Sequence, residues 1–172
     1  MSDNGRSFDE HSGPVTGSRH RLTGLVLDPS SIKRGNANIE HEREVAIFDI
    51  LDANGFELVG HDHGPYHLVL SAVDDRLVFT VTPDAGGTPH VIALSLVPLR
   101  KVMKDYFLVC ETYFDAIRTA PPSRIQQIDV GRRALHDEGA QGLVERLAGK
   151  IVLDTTTARR MFTLICALHW KG

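Results

Sequence analysis

Only two cysteines occur in the chain, Cys110 and Cys166, and neither belongs to a CxxC or Cys–His pair. That excludes a disulfide framework and a thiolate zinc site, and it suits a reducing, cytosolic compartment. Their contexts, FLVCETYF and TLICALHW, are apolar and helical, so the expectation is two buried free thiols. No apolar run is long enough to cross a bilayer, so no membrane partner is expected. The opening MSDNGRSFDEHSGPVTGSRHR lacks the apolar stretch of a secretory signal. There is no Walker or Rossmann phosphate loop and no GxSxG nucleophile elbow. No repeat of solenoid length appears. No cofactor is implied.

What is present suits a globular protein. The 172 residues are 42% hydrophobic and 24% charged, enough for one hydrophobic core. The expected division is a disordered tail over residues 1–18 and a single α+β domain over residues 19–172. Net charge is −3, unevenly spread: residues 1–96 carry −7 and residues 97–172 carry +4. A basic balance that modest is thin for nucleic acid, which is not an expected partner. It could instead draw the two halves, or two copies, together.

Periodicity gives the elements. RLTGLVL (residues 21–27) reads as a strand ending at Asp28-Pro29. Residues 39–53 read as a helix with Asn38 as N-cap and Asn54-Gly55 as its stop. Residues 56–60, 66–72, 76–82 and 90–97 read as a four-stranded meander turning at Asp74-Asp75 and at Asp84–Gly87, with residues 21–27 at its edge. Pro98 opens a helix whose apolar stripe runs from Leu99 to Ile117 and which stops before Pro121-Pro122. Ser123 and Gln126 form a capping box for the next helix, which breaks or bends at Gly139. A short helix then runs to Gly149, and residues 150–153 form an edge strand. Asp154 or Thr155 caps a last helix to His169. The fold expected is α+β: an antiparallel sheet of four to five strands, one helix before it, and a C-terminal layer of about four helices.

Three stretches carry candidate chemistry. EHERE (residues 40–44) lacks the second histidine of a zinc-protease motif and reads as a solvated acidic first turn. GHDHGPYH offers His61, His63 and His67, and imidazole suits zinc, copper or nickel. No fourth ligand is fixed by spacing, so this metal reading is the weaker alternative to a polar turn. The densest stretch is IDVGRRALHDEG (residues 128–139). Arg132 falls four residues after Ile128 and three before Leu135, on the apolar face, and His136 lies four further on. A cation on a core-facing stripe is costly unless it is paired or lines a cleft. Arg159 and Arg160 open the last helix, where the dipole disfavours cations, so carboxylates or an anionic ligand must compensate them.

IEHEREVAIFDIL, LRKVMKDYF, IDVGRRALHDEG and TARRMFTLICALHW, in this order and spacing, resemble uncharacterised protein family (UPF) 0262. The likeness covers about residues 21–172. It implies a small, single-domain, bacterial cytoplasmic protein and no reaction, and the histidines of GHDHGPYH are not part of its pattern.

Two functions compete. One is a non-catalytic regulatory or protein-interaction module with a protein partner or a second copy of itself. The other is a protein or enzyme that binds a small anion, phosphate or carboxylate, through Arg132, Arg133, Arg159 and Arg160. There His136 would be the acid–base group, oriented by Glu138 or Asp129. The same arginines could equally tie helices together as Arg–Asp pairs.

Overall fold

The computed structural model describes residues 18–169. The expected tail therefore lies almost wholly outside the described residues. The elements are β1 (Leu22–Leu27), α1 (Ala37–Asp52), β2 (Phe56–Leu58), β3 (Tyr66–Val73), β4 (Arg76–Pro83) and β5 (His90–Ser95). A 3-10 turn (Val97–Leu99) leads into α2 (Arg100–Thr119), followed by α3 (Pro122–Leu147), β6 (Ile151–Leu153) and α4 (Thr155–His169). The α+β class holds.

β3 and β4 alternate cleanly: Tyr66, Leu68 and Leu70, then Leu77, Phe79 and Val81, all point inward. That period of two buries one sheet face. The sheet order is β1-β3-β4-β5. It is mixed rather than purely antiparallel, because β1 runs parallel to β3. A parallel neighbour needs a crossover, and α1 lies between them in sequence. β2 does not join the meander. It pairs antiparallel with β6, Phe56 opposite Leu153 and Leu58 opposite Ile151, as a separate two-stranded ribbon.

α4 is the central helix. Eight of its residues are buried, and Met161, Phe162 and Ile165 share one core with the sheet and with Ile50 of α1. Asp154 caps it, accepting from Thr157 N at 2.7 Å. α1 and α4 are antiparallel and each sends an arginine to the other's C-terminal end. Arg43 donates to Ala167 O (3.2 Å) and Lys33 O (2.9 Å), while Arg160 donates to Asp49 O (2.6 Å) and Ala53 O (3.0 Å). Helix ends leave carbonyls without intrahelical donors, and a cation there also suits the dipole. Arg160→Met is therefore expected to lower the unfolding free energy by about 1–3 kcal/mol, read as a shift of the urea midpoint.

Several local expectations change. Asn36, not Asn38, caps α1, its side chain accepting from Ile39 N. Asn54 is a buried clamp rather than a left-handed stop, and Ala53 ends α1 in extended geometry. The EHERE turn is only partly solvated: Arg43 is buried and pairs with Glu40 at 3.0 Å. α3 starts from Pro121 without a side-chain cap, since Pro122 in the first turn has no N–H to satisfy. Nor does Gly139 break α3. The two expected helices are one of 26 residues, ended by Gly149 at φ +82°.

Candidate functional site

The helices meet around a cleft of about 560 Å³. α1 supplies Asn38, Ile39, His41 and Glu42 from its first turns. α2 supplies Tyr106, Cys110, Tyr113 and Phe114, the continuation of the stripe that buries Val102 and Met103 further down. α3 contributes Arg132, and α4 contributes Thr163, Cys166 and Ala167. The volume falls within the ~300–1,000 Å³ typical of small-molecule sites, and the walls are mainly apolar.

Arg132 is the cleft's one Lys or Arg side chain. Its Nε and Nη2 donate to Asp129 Oδ1 at 3.1 and 2.6 Å. Arg133 takes the other oxygen of Asp129 at 2.6 Å. The hydrogen bond from Arg132 is the main reason the Asp129 carboxyl is held below its ordinary value. The three side chains together carry a net positive charge. Arg132 also stands 5.1 Å from the Tyr113 ring centre, within cation–π range. A guanidinium has five N–H donors; Asp129 uses two, and the Tyr106 phenol is a further hydrogen-bonding neighbour.

His136 lies behind the cleft wall, not in it. Its Nε2 is 2.7 Å from Thr163 Oγ1, whose hydroxyl donates to Arg159 O at 3.1 Å. Thr163 Oγ1 thus bridges the His136 ring and the Arg159 carbonyl. The ring sits between Tyr106 and Phe162, with centroids at 5.4 and 5.6 Å. Burial lowers its pKa below the ordinary 6.5, and the nearby charges of Arg159 and Arg132 add to this. The unfolded chain then holds more protons than the folded one, so stability falls with pH from about 6.5 down to the lower folded value. His136→Gln is expected to flatten that part of a plot of melting temperature against pH; an unchanged slope would exclude His136 as its source.

The other sequence candidates separate. Arg159 is compensated by an ion pair with Asp137 across α3 and α4. Arg160 serves the end of α1. Glu138 is exposed on α3, in electrostatic reach of Lys101, and makes no hydrogen bond to His136. Asp129 is engaged by two arginines instead. Thus one of the four arginines reaches the cleft.

The histidines divide as well. The His61 and His90 rings are tilted against each other with centroids 4.2 Å apart, and the His63 ring is 6.3 Å from that of His61. His67 instead packs against Gly24, where a Cβ would lie 2.4 Å from its ring. His90 was missed because it comes from β5, far along the chain. Among the described residues no group of three or more His, Cys, Asp or Glu side chains is arranged to hold a metal ion.

Sequence reasoning also missed Glu42 and Tyr113 as cleft residues. The available signal was the α2 stripe, which continues past the point where the body of the protein can cover it. Burial pushes both thiols up, Cys166 more than Cys110, and raises the Tyr106 phenol too.

A sequence model described as uncharacterised protein family UPF0262 matches residues 19–171. A UPF0262 protein of Rhizobium meliloti (strain 1021) is 55% identical over 152 residues, 88% of this chain and 96% of that protein. One from Rhizobium johnstonii is 53% identical over the same length and shares. One from Brucella anthropi is 53% identical over 153 residues, 88% of this chain and 95% of that protein. No solved structure matches the chain. No helix of the described residues is long and apolar enough to cross a membrane.

Proposed function

The chain belongs to uncharacterised protein family UPF0262, a membership that brings no reaction with it, and we propose that it is a non-catalytic module binding a small anionic molecule in the four-helix cleft. The observation that carries this reading is Arg132, a guanidinium with unused donors on the wall of a mostly apolar cavity. The ligand class is a carboxylate with an apolar body. A phosphate dianion calls for more positive charge than one arginine half-compensated by Asp129 can offer. The non-catalytic reading is supported by the thiols, the Tyr106 phenol and His136, which are tuned away from proton transfer. The thiols and the Tyr106 phenol are held protonated, and His136 is held neutral behind Thr163. Two free thiols favour a cytoplasmic site of action, tested by cell fractionation.

Calorimetric titration with hexanoate, octanoate and decanoate tests the proposal. Arg132→Gln is expected to weaken binding about tenfold or more, by removing a charge-assisted hydrogen bond. Equal binding by the variant, or equal binding of the matching alcohols, would sink it.

A second reading, docking of another copy through the α2–α3 hairpin, is favoured by the exposure of Phe114 (57%), Ile117 (50%) and Val130 (61%). Sedimentation over a range of concentrations tests it. Association that weakens in Phe114→Ser is expected, and a strictly monomeric chain removes the reading.

A further inference from the structure

We infer that the cleft holds a zwitterion, its carboxylate on Arg132 and a cationic nitrogen on Glu42, with an apolar spacer between; the inference rests on the cleft being a ligand site. Glu42 is the cleft's one carboxylate. Its helix neighbour Glu40 is occupied, accepting from Gly35 N at 2.7 Å and from Arg43 at 3.0 Å. Glu42 has no hydrogen bond or ion pair among the described residues. The lining residues therefore present one formal positive and one formal negative side chain, on α3 and α1.

The two charged side chains line one cleft. Both act on the Cys110 thiol, Arg132 favouring its ionisation and Glu42 opposing it. Cys110 lies on α2 in the same cleft wall, whose other residues include the mainly apolar Tyr106, Tyr113, Cys166 and Ala167. A simple anion on Arg132 meets the Glu42 carboxylate, an exposed side chain on the wall of the same cleft, at the cost of a partly screened repulsion. A simple cation meets Arg132 in the same way. A molecule carrying both charges satisfies both side chains, and its spacer covers the apolar wall. The Tyr106 and Tyr113 side chains lining the cleft suit a methylene chain.

The test is calorimetric titration of the full chain with terminal amino acids of increasing length, from aminobutanoate to aminododecanoate with the amino group on the last carbon. Alkanoates and alkylamines of matching length are titrated in parallel. One length is expected to bind about tenfold tighter than its matched alkanoate and alkylamine. Glu42→Gln is expected to erase the advantage over the alkanoate, and Arg132→Gln the advantage over the alkylamine. Both side chains reach solvent, and circular dichroism checks that each variant keeps its helices. If alkanoates bind as tightly as the amino acids at every length, or Glu42→Gln leaves the preference intact, the zwitterion is overturned while the anion site stands. If no probe of any class binds, both readings fall.

Discussion

Asn54→Ala is expected to lower the unfolding free energy by about 3–5 kcal/mol, a large fraction of the ~5–15 kcal/mol typical of a domain. The Asn54 carboxamide uses both ends on backbone. Oδ1 accepts from Leu22 N at 2.7 Å, and Nδ2 donates to Leu22 O at 3.0 Å and Ile50 O at 2.9 Å. Leu22 and Ile50 are themselves buried, so alanine leaves three polar backbone groups with poor access to water. Each orphaned group costs about 1–3 kcal/mol, partly relieved by local relaxation. Asn54 holds the start of β1 against the end of α1, so both elements loosen together. Asn54→Asp does not rescue, since it keeps the acceptor, loses the two donors and buries a charge. Urea unfolding of the two variants is the measurement. A loss below about 1 kcal/mol in the alanine variant would mean that water replaces the side chain.

Gly139→Ala carries the second large effect, in the opposite sense to helix propensity. In an exposed helix the change gains about 1 kcal/mol. Here the added Cβ would fall 2.2 Å from Cζ of Phe162, and two more ring atoms lie at 2.3 and 2.5 Å. Phe162 is fully buried and flanked by Tyr106 and His136, so its ring has no empty space to enter. Overpacking of this kind costs about 1–3 kcal/mol even after partial rearrangement. Phe162→Leu shortens the opposing side chain and is expected to recover part of the loss. The pair is therefore coupled in a double-mutant cycle by about 1 kcal/mol or more. Additive losses would show that α3 and α4 separate to admit the methyl group. The glycine lets α3 and α4 approach closely at this point.

Arg132 illustrates what local pattern can reach. Its position between Ile128 and Leu135 marks it as a cation on an apolar stripe, and it does line a cleft. Helical spacing alone contains that information. Arg159 and Arg160 needed compensation, which the first-turn dipole also foretells, but its source is tertiary: Asp137 for one, the carbonyls of α1 for the other. Glu42 is the reverse case. On its own helix it is an exposed acid with no special spacing. Only the packing of α1 beside α2 and α4 makes it part of a cavity wall.

The strands divide in the same way. β3 and β4 were legible because alternation and a two-residue turn are local. β2 was assigned to the wrong sheet because its partner, β6, is nearly a hundred residues away, and three-residue strands carry no pairing code. The direction of β1 was likewise undetermined, since alternation is identical in parallel and antiparallel ladders.

By itself the sequence determined the α+β class, the extents of most elements, the alternation of β3 and β4, the free thiols and the family. Each of these follows from residues within a few positions of one another or from a pattern read along the chain. The tertiary structure alone decided which elements became neighbours. It placed Asn54 under β1, Gly139 against Phe162 and Glu42 in the same cleft wall as Arg132. Those contacts depend on how amphipathic helices dock, and a hydrophobic stripe specifies that a face is buried without specifying what buries it.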